Sequence, residues 1–257
     1  MAFVSYAQNW EDVLLHRCFG AQEYGFYVDV GAYDPIEGNV TKSFYDRGWN
    51  GINVEPGSVF DVLAAARPRD VNLRLLVLDR TGVAGFIETA DRGMSHVVAD
   101  GSEGATTLSC DTLERIVRSH SGGMPVDFLK VDVEGVEGII VQSTNWRALR
   151  PRVLVFEATL PWSSTLCNQE WEPALLDHGY VRAYFDGINC FYVAEEAWPK
   201  LMRCFETPVN VLDQAERHNP ARAATAATMA TIPARLDAVV DELAAVRALL
   251  AQYAGAP

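Results

Sequence analysis

Short apolar runs recur along the chain between Gly25 and Val193, and polar segments separate them. Each run is nearly continuous in Val, Ile, Leu and Phe, which is typical of strands that are covered on both faces. Helical segments are predicted between the runs, for example at 59–67 and at 110–119, where Asp111 supplies a cap or first-turn acid. The alternation predicts a doubly wound, mostly parallel α/β sheet. The predicted strands are FYVDV (26–30), GINVE (51–55), LRLLVL (73–78), VDFLKVDV (126–133) and VLVFE (153–157).

The last part of this region has the pattern of two strands joined by a tight turn. Residues 180–195 contain two β-rich runs that flank the turn-forming segment Asp186-Gly187-Ile188-Asn189. Such a turn between two β-rich runs predicts an antiparallel hairpin. We therefore expect the sheet to become mixed at one edge.

The texture changes again after Pro208, which divides the chain into a domain at 1–208 and a C-terminal helical extension at 209–257. Residues 221–230 are rich in Ala and Thr, and Pro233 is predicted to open a helix. Apolar residues then recur in steps of three and four, which indicates either a coiled-coil seam or an amphipathic helix docked on its own domain. Few charges flank the seam, and the expectation is a homodimer or higher homo-oligomer. The seam residues are Ile232, Leu236, Val239, Leu243, Val246, Leu250 and Tyr253.

Composition excludes several classes of protein and partner. The 257 residues carry 21 basic and 34 acidic side chains, a formal net charge of −13 that repels nucleic acid and anionic membranes. Five scattered cysteines without a CxxC pair favour a reducing compartment over a disulfide framework. No basic leader and no long apolar stretch is visible in the sequence, so the expected location is cytoplasmic.

Candidate cofactor chemistry lies at the ends of the first two predicted strands. The first strand runs into VDVGAYD (28–34), which contains Asp29 and Gly31, and the second ends at Glu55, where a doubly wound fold presents an acid to ribose hydroxyls. The GxGxxG fingerprint is missing, and Pro35 removes one backbone N–H that a pyrophosphate would need. A single glycine with these acids favours S-adenosyl-L-methionine over a dinucleotide. A buried strand and its turn, without a ligand, is the structural alternative.

These residues carry a resemblance to a known family. The chain resembles the FkbM-type S-adenosylmethionine-dependent methyltransferases over about two thirds of its length. The matching blocks are SYAQNWEDVLL (5–15), GFYVDVGAYDP (25–35), NVTKSFYDRGWNGINVEP (39–56), DFLKVDVEGVE (127–137) and the acid at Glu157. The resemblance implies a class I, Rossmann-like sheet of seven strands with the last one antiparallel, and methyl transfer to an oxygen of a sugar or polyketide.

The resemblance also implies roles for individual residues. Asp29, Gly31 and Glu55 would contact the cofactor. Gln8 and Asp12 would close over its amino acid end, with Asn39 nearby. The sequence after the third strand departs from the family pattern, with Asp79 where the adenine side is expected, and Asp79 is therefore a further candidate contact. For Trp10 and Glu11, a place on the packing or solvated face of a short helix is as good an interpretation as a functional role.

The block DFLKVDVEGVE can also be interpreted from its residues alone, without the family resemblance. Lys130, Asp132 and Glu134 alternate with apolar residues, which predicts that they project to one face near the carboxyl end of a strand. Glu157 ends the next strand and is expected to join them. Buried ionisable groups need partners, so this cluster is a candidate for substrate or cofactor contact. A purely structural network of the lysine and the carboxylates is the alternative.

Methyl transfer to a hydroxyl requires a group that accepts its proton. His96, in DRGMSHVV (91–98), is the candidate base by position, and Asp132 and Glu134 compete with it. The carboxylates could instead bind Mg²⁺, because hard cations prefer carboxylate ligands. The expected acceptor is a small molecule or oligosaccharide, such as a mannoside precursor. A secondary metabolite hydroxyl, a nicotinamide-dependent oxidoreductase and a non-catalytic binding module are the alternatives.

Overall fold

A computed structural model describes residues 3–89 and 95–254 of the chain. The chain divides into two compact units, Met1–Glu216 and Arg217–Pro257, so the first unit extends past the boundary predicted at Pro208. The strands are β1 (Phe3–Ser5), β2 (Phe26–Val30), β3 (Asn50–Val54), β4 (Val71–Leu73), β5 (Leu76–Val77), β6 (Gly82–Ile87), β7 (His96–Val98), β8 (Thr106–Asp111), β9 (Phe128–Val131), β10 (Val153–Glu157), β11 (Tyr180–Phe185), β12 (Asn189–Ala194) and β13 (Ala215–Arg217). The helices are α1 (Glu11–Phe19), α2 (Lys42–Asp46), α3 (Phe60–Ala66), α4 (Leu113–His120), α5 (Glu137–Ser143), α6 (Glu172–Asp177), α7 (Trp198–Leu201) and α8 (Pro220–Ala254).

A seven-stranded sheet with the order β11-β12-β10-β9-β2-β3-β4 forms the centre of the first unit. The neighbours from β10 to β4 are parallel, β12 pairs antiparallel with β10, and β11 pairs antiparallel with β12. The fold is therefore mixed α/β. The antiparallel hairpin predicted around Asp186-Gly187-Ile188-Asn189 is confirmed as β11 and β12.

The central strands β2 and β9 are buried, and apart from Asp29 in β2 and Lys130 in β9 their side chains are apolar or aromatic. All five residues of β2 are buried, as are all four of β9. An aromatic cluster packs on this part of the sheet, and the ring centroid of Phe44 lies 5.0 Å from that of Trp49 and 4.9 Å from that of Phe128. The cluster fixes the positions of β2 and β9, whose carboxyl ends carry the candidate site.

The predicted strand at 73–78 was wrong as a single element. The chain forms β4, which pairs with β3, and then β5, which pairs with β8 in a separate four-stranded sheet of order β5-β8-β6-β7. Arg74, between the two strands, is exposed. A charged residue in the middle of the run marks the point where the chain leaves one sheet for the other.

Two helix starts also differ from the predictions. Asp111 ends β8, and Thr112 caps α4 instead, since its side-chain oxygen accepts a hydrogen bond from the backbone N–H of Arg115. Pro233 does not open the C-terminal helix, because α8 begins at Pro220 and contains Pro233 in its interior. The Ala-rich segment before Pro233 has the high helix propensity that extends the helix in this direction.

No helix among the described residues is long and apolar enough to cross a membrane.

Candidate functional site

The ends of β2 and β9 approach each other closely at Gly31. Gly31 has φ +77°, and a Cβ atom at this position would lie 1.8 Å from the carbonyl oxygen of Asp132. Its N–H donates to the carbonyl of Val54 at 3.0 Å, which ties it to the end of β3 as well. Gly31 is therefore required by the neighbouring backbone.

Lys130 connects the same strand ends electrostatically. Its Nζ donates to the carbonyl of Gly31 at 2.6 Å and lies 3.5 Å from Asp29 Oδ1 and 3.3 Å from Asp132 Oδ2. Burial by itself lowers the pKa of Lys130, but the carboxylates of Asp132 and Asp29 outweigh it and hold the pKa above its ordinary value. The ammonium thus stays charged and neutralises two acids at the edge of the sheet.

Asp29 and Asn39 lie in a buried polar network beneath this edge. Asp29 is 1% exposed, its Oδ2 accepts a hydrogen bond from Thr41 Oγ1 at 3.2 Å, and burial raises its pKa while Lys130 opposes the rise. Asn39 Nδ2 donates to the carbonyls of Ala32 and Asp34 at 3.1 and 2.9 Å. Asn39 therefore holds the loop that follows β2 in its observed shape.

Glu55 follows β3 and faces the loop after β2. Its Oε2 accepts a hydrogen bond from the N–H of Tyr33 at 2.8 Å, and its Oε1 accepts one from the N–H of Gly57 at 2.7 Å. Burial raises the pKa of Glu55, and the two backbone donors oppose the rise. Glu88 lies on the other side of Gly57 and accepts hydrogen bonds from the backbone and hydroxyl of Ser58 at 2.8 Å. Each Glu55 oxygen keeps one lone pair for a further donor.

Three carboxylates meet beyond Lys130. Oxygen atoms of Asp132, Glu134 and Glu157 lie within 4.8 Å of one another. These carboxylates are not brought together by the alternation along a strand that the sequence predicts. Strand β9 ends at Val131, and Glu134 adopts φ +54° in the turn that follows. Burial, with added repulsion from Asp132 and Glu134, raises the pKa of Glu157 to about 9, and Glu157 shares a hydrogen bond with Asp132. Glu157 therefore carries a proton at neutral pH.

Glu137, at the start of α5, shapes the turn that carries this cluster. It is buried, and its two carboxylate oxygens accept hydrogen bonds from the N–H groups of Val133 and Gly135 at 3.0 and 2.9 Å. A carboxylate at the start of a helix is stabilised by the positive end of the helix dipole. Glu137 thus turns the chain after Val131 so that Asp132 and Glu134 meet Glu157.

The N-terminal block lies against the same region through buried acids. Asp12 is fully buried and accepts hydrogen bonds from Ser5 Oγ at 2.6 Å and from the N–H of Tyr6 at 2.8 Å. Burial raises the pKa of Asp12 to about 6. Asp12 therefore positions the segment that precedes Gln8, and Gln8 itself is exposed.

Glu11 is a site residue that the sequence left undecided. Its Oε1 accepts a hydrogen bond from Asn189 Nδ2 at 2.9 Å, and Asn189 pairs in register with Glu157. Burial, followed by repulsion from Asp186, raises the pKa of Glu11 to about 8. The hairpin turn at 186–189 and the N-terminal block thus form one wall beside the acid cluster.

Comparison with known families decides what this arrangement belongs to. The family model described as "Methyltransferase FkbM domain" matches residues 29–182, which is more than half of the chain and includes Asp29, Gly31, Glu55, Lys130 and the acid cluster. The chain belongs to the FkbM methyltransferase family. It is accordingly an S-adenosylmethionine-dependent methyltransferase.

Two further comparisons add little to the family assignment. Among solved structures, the fibrillarin/Nop5p complex matches 66% of this FkbM protein and 70% of that chain, at 14% sequence identity and a TM-score of 0.34, which is too low to carry an argument. No curated protein matches the sequence.

The residues of the FkbM domain fit a cationic cofactor. Asp29 and Asp132 lie beside Lys130, the single cation among the groups described above, and Glu55 and Glu134 add further acids to this edge while Glu157 is protonated. Such an edge attracts a sulfonium and an ammonium and repels a diphosphate. Glu55 has the lone pairs that two ribose hydroxyls would use.

His96 and Asp79 lie elsewhere in the FkbM protein. His96 begins β7 in the four-stranded sheet, pairs with Ile87 and is exposed. Asp79 follows β5, its side chain is 54% exposed and it pairs with Arg80 at 3.1 Å. The structure does not group either residue with Lys130 and Glu157, and their roles remain predictions.

Sequence reasoning missed Thr41, Glu88, Glu137 and Asn189. Glu137 lies in the quoted family block, three residues after Glu134, so its spacing from a turn glycine was a usable signal. Glu88 and Asn189 come to the site only through long-range pairing, which no local pattern reveals.

Proposed function

We propose that the protein transfers a methyl group to a hydroxyl of a carbohydrate. The observation that carries the proposal is the cluster of Asp132, Glu134 and Glu157 next to the strand ends that bear Gly31 and Glu55. When bound, S-adenosylmethionine supplies an electrophilic methyl carbon. The doubly wound, class I arrangement belongs to the same proposal, and the parallel order β10-β9-β2-β3-β4 with the reversed β12 supports it.

Glu55 and the strand ends would hold the cofactor. The Glu55 carboxylate is fixed by the N–H groups of Tyr33 and Gly57, so its two free lone pairs point in set directions for the ribose diol. Gln8 lies after the segment fixed by Asp12 and is proposed to cover the amino acid end. Lys130 keeps Asp29 and Asp132 in place from below.

Asp132 is the proposed acceptor of the hydroxyl proton. The oxygen–carbon bond forms as the carbon–sulfur bond breaks, and the proton of the attacking hydroxyl leaves to a carboxylate. Glu157 already holds a proton at neutral pH, so it serves as a hydrogen-bond donor to Asp132 and not as the base. His96 is the second candidate, placed on the small sheet.

The surfaces beside the acid cluster support the choice of a carbohydrate as the methyl acceptor. Carboxylates accept hydrogen bonds from the hydroxyls of a polyol. Trp162 is 86% exposed on the loop directly after the strand that ends in Glu157, and this loop is closed by the pairing of Thr159 with Leu166. An exposed indole can stack on the apolar face of a sugar ring. A hydroxyl of a polyketide is the nearest alternative.

A labelling experiment tests the proposal. The protein is incubated with S-adenosylmethionine carrying a labelled methyl group and with a panel of mono- and oligosaccharides, polyketides and amines, and mass spectrometry locates the label. We expect O-methylation of a sugar, loss of at least about tenfold in rate for Asp132→Asn, and little change for Asp177→Asn, an exposed residue at the end of α6. Label on nitrogen, or transfer that Asp132→Asn leaves intact, would contradict the assignment.

Methyl transfer to a hydroxyl assisted by a divalent cation is an alternative form of the proposed mechanism. Three carboxylate oxygens within 4.8 Å can offer ligands to Mg²⁺, which would lower the pKa of a bound hydroxyl. Activity measured in excess chelator, with and without added Mg²⁺, distinguishes the versions. Full activity in chelator removes the metal, and restoration only by Mg²⁺ establishes it.

A further inference from the structure

Glu88 supplies a second carboxylate beside Gly57, on the side opposite Glu55. A Cβ atom at residue 57 would lie 2.8 Å from Glu55 Oε1 and 2.9 Å from Glu88 Oε1. The two glutamates come from different sheets, because Glu55 follows β3 in the seven-stranded sheet and Glu88 follows β6 in the four-stranded sheet. The four-stranded sheet thus contributes one carboxylate to the edge at which Glu55 lies.

One oxygen of Glu88 is fixed, and the other is available to a ligand. Oε1 accepts hydrogen bonds from the N–H and from the hydroxyl of Ser58, both at 2.8 Å. Within residues 3–89 and 95–254, Oε2 makes no hydrogen bond, and Glu88 is exposed. An ionised carboxylate only accepts hydrogen bonds, so Oε2 suits a donor on a bound molecule. Because Ser58 holds Oε1, the position of Oε2 is set as well.

The backbone at Gly57 leaves an open surface between the two carboxylates. Its N–H donates to Glu55 Oε1 at 2.7 Å, which holds residue 57 against Glu55. Any side chain at residue 57 would displace oxygens of both glutamates. A nucleoside base is a flat ring joined directly to the ribose. A ribose bound by Glu55 therefore brings its base within reach of the surface over Gly57 and of Glu88 beyond it.

The chemistry of the base matches a carboxylate at this place. Adenine carries one hydrogen-bond donor group, its exocyclic amino group, and its ring nitrogens are acceptors. A carboxylate attracts the amino group and repels the ring nitrogens, so it selects one edge of the base. A site that accepts a hydrogen bond from a ligand discriminates against an analogue that lacks the donor.

We propose that Glu88 accepts a hydrogen bond from the amino group of adenine and makes the cofactor site selective for an adenine nucleoside. The inference rests on the proposed placement of the ribose at Glu55. It involves no methyl acceptor, so it is independent of whether the methyl group goes to a sugar or to another hydroxyl. Asp79, which is exposed and pairs with Arg80, is the competing candidate for the adenine side.

Calorimetric titration of the full chain with two ligands tests the inference. The ligands are S-adenosylhomocysteine and its 6-deamino analogue, in which purine replaces adenine. The wild type should bind the analogue at least about tenfold more weakly. In Glu88→Gln, the N–H of Ser58 keeps the amide oxygen at the Oε1 position, so an NH₂ group that cannot accept replaces Oε2. The two ligands should then bind within about twofold of each other.

Further variants separate the ways in which the inference can fail. Glu55→Gln should weaken both ligands by the same factor, because the ribose is common to both. Glu206→Gln, the same exchange at an exposed residue after α7, should keep the wild-type ratio of affinities.

Three results would overturn the role of Glu88. They are equal binding of the two ligands by the wild type, a ratio that Glu88→Gln leaves unchanged, and a ratio that Asp79→Asn alone abolishes. The second result includes equal weakening of both ligands, which is what a purely structural contact with Ser58 would give. Wild-type affinity of Glu55→Gln for both ligands would overturn the placement of the ribose, and the inference with it.

Discussion

The carbonyl oxygen of Asp132 occupies the space in which a Cβ atom of residue 31 would lie. Because Gly31 has no side chain, the ends of β2 and β9 can approach each other closely. Lys130 also links them, since its Nζ donates a hydrogen bond to the Gly31 carbonyl. The acid cluster and the loop that faces Glu55 start from these two strand ends. Four predictions test how this edge is built.

The first prediction concerns Gly31→Ala. The left-handed conformation costs an alanine about 1–2 kcal/mol, and the collision with Asp132 adds about 1–3 kcal/mol as overpacking. Gly38→Ala is the matched control, because Gly38 has φ +70° and nothing within 4 Å of its added Cβ. Urea unfolding should show a larger loss of free energy for Gly31→Ala than for Gly38→Ala. Equal losses would show that the close approach to Asp132 does not exist.

The second prediction concerns Glu55→Gln. Only one oxygen remains in the amide, so its NH₂ group must face the N–H of Tyr33 or of Gly57, and the ribose loses an acceptor. Calorimetry should show that S-adenosylhomocysteine binds about 1–3 kcal/mol more weakly. The exposed Glu37→Gln should leave binding unchanged. If Glu55→Gln folds normally and binds with wild-type affinity, Glu55 does not hold the ribose.

The third prediction concerns the pair of Lys130 and Asp29. Lys130→Met leaves the buried Asp29 carboxylate without its cation, which should lower the free energy of unfolding by about 3–5 kcal/mol. The surface pair of Lys42 and Asp46 gives the comparison, because Lys42→Met should cost only about 0–1 kcal/mol. Lys130→Met combined with Asp29→Asn should be more stable than the sum of the two single losses predicts. A strictly additive double variant would mean that the two charges do not interact.

The fourth prediction concerns the pH dependence that Glu157 introduces. Its pKa rises from an ordinary 4.5 to about 9 on folding, so between these values the folded chain binds a proton that the unfolded chain has released. The contribution of Glu157 to stability is therefore largest at low pH and is lost as the pH rises through this window, at no more than about 1.4 kcal/mol per pH unit. Glu157→Gln should lose less stability than the wild type between pH 5 and pH 9, as followed by urea unfolding. Parallel stability curves for the two proteins would exclude a raised pKa at Glu157.

Much of the fold followed from local pattern. The runs at 26–30 and 153–157 became β2 and β10 with the predicted bounds, because a continuous apolar run suits a strand buried on both faces. The hairpin around Asp186 was predictable from its turn residues. The four-stranded sheet was not, because the switch from β4 to β5 depends on pairing with β8 more than 30 residues away.

The candidate site was predictable in part, for a similar reason. Lys130, Asp132 and Glu157 stand at strand ends, and parallel strands bring their carboxyl ends to one edge of the sheet. The position of Glu134 depends on the turn that Glu137 holds, and the role of Glu11 depends on Asn189, 178 residues away. Such contacts arise from tertiary packing and have no signature in a local stretch of sequence.

The central claim is that the edge formed by Gly31, Glu55 and the acid cluster is the cofactor site of a methyltransferase. A crystal structure of the protein grown with S-adenosylhomocysteine measures this most directly. The account predicts that the ribose hydroxyls lie on the Glu55 carboxylate and that the sulfur faces Asp132 and Glu157. Density for the ligand at any other surface, or Glu55 and Asp132 without contact to it, would contradict the account.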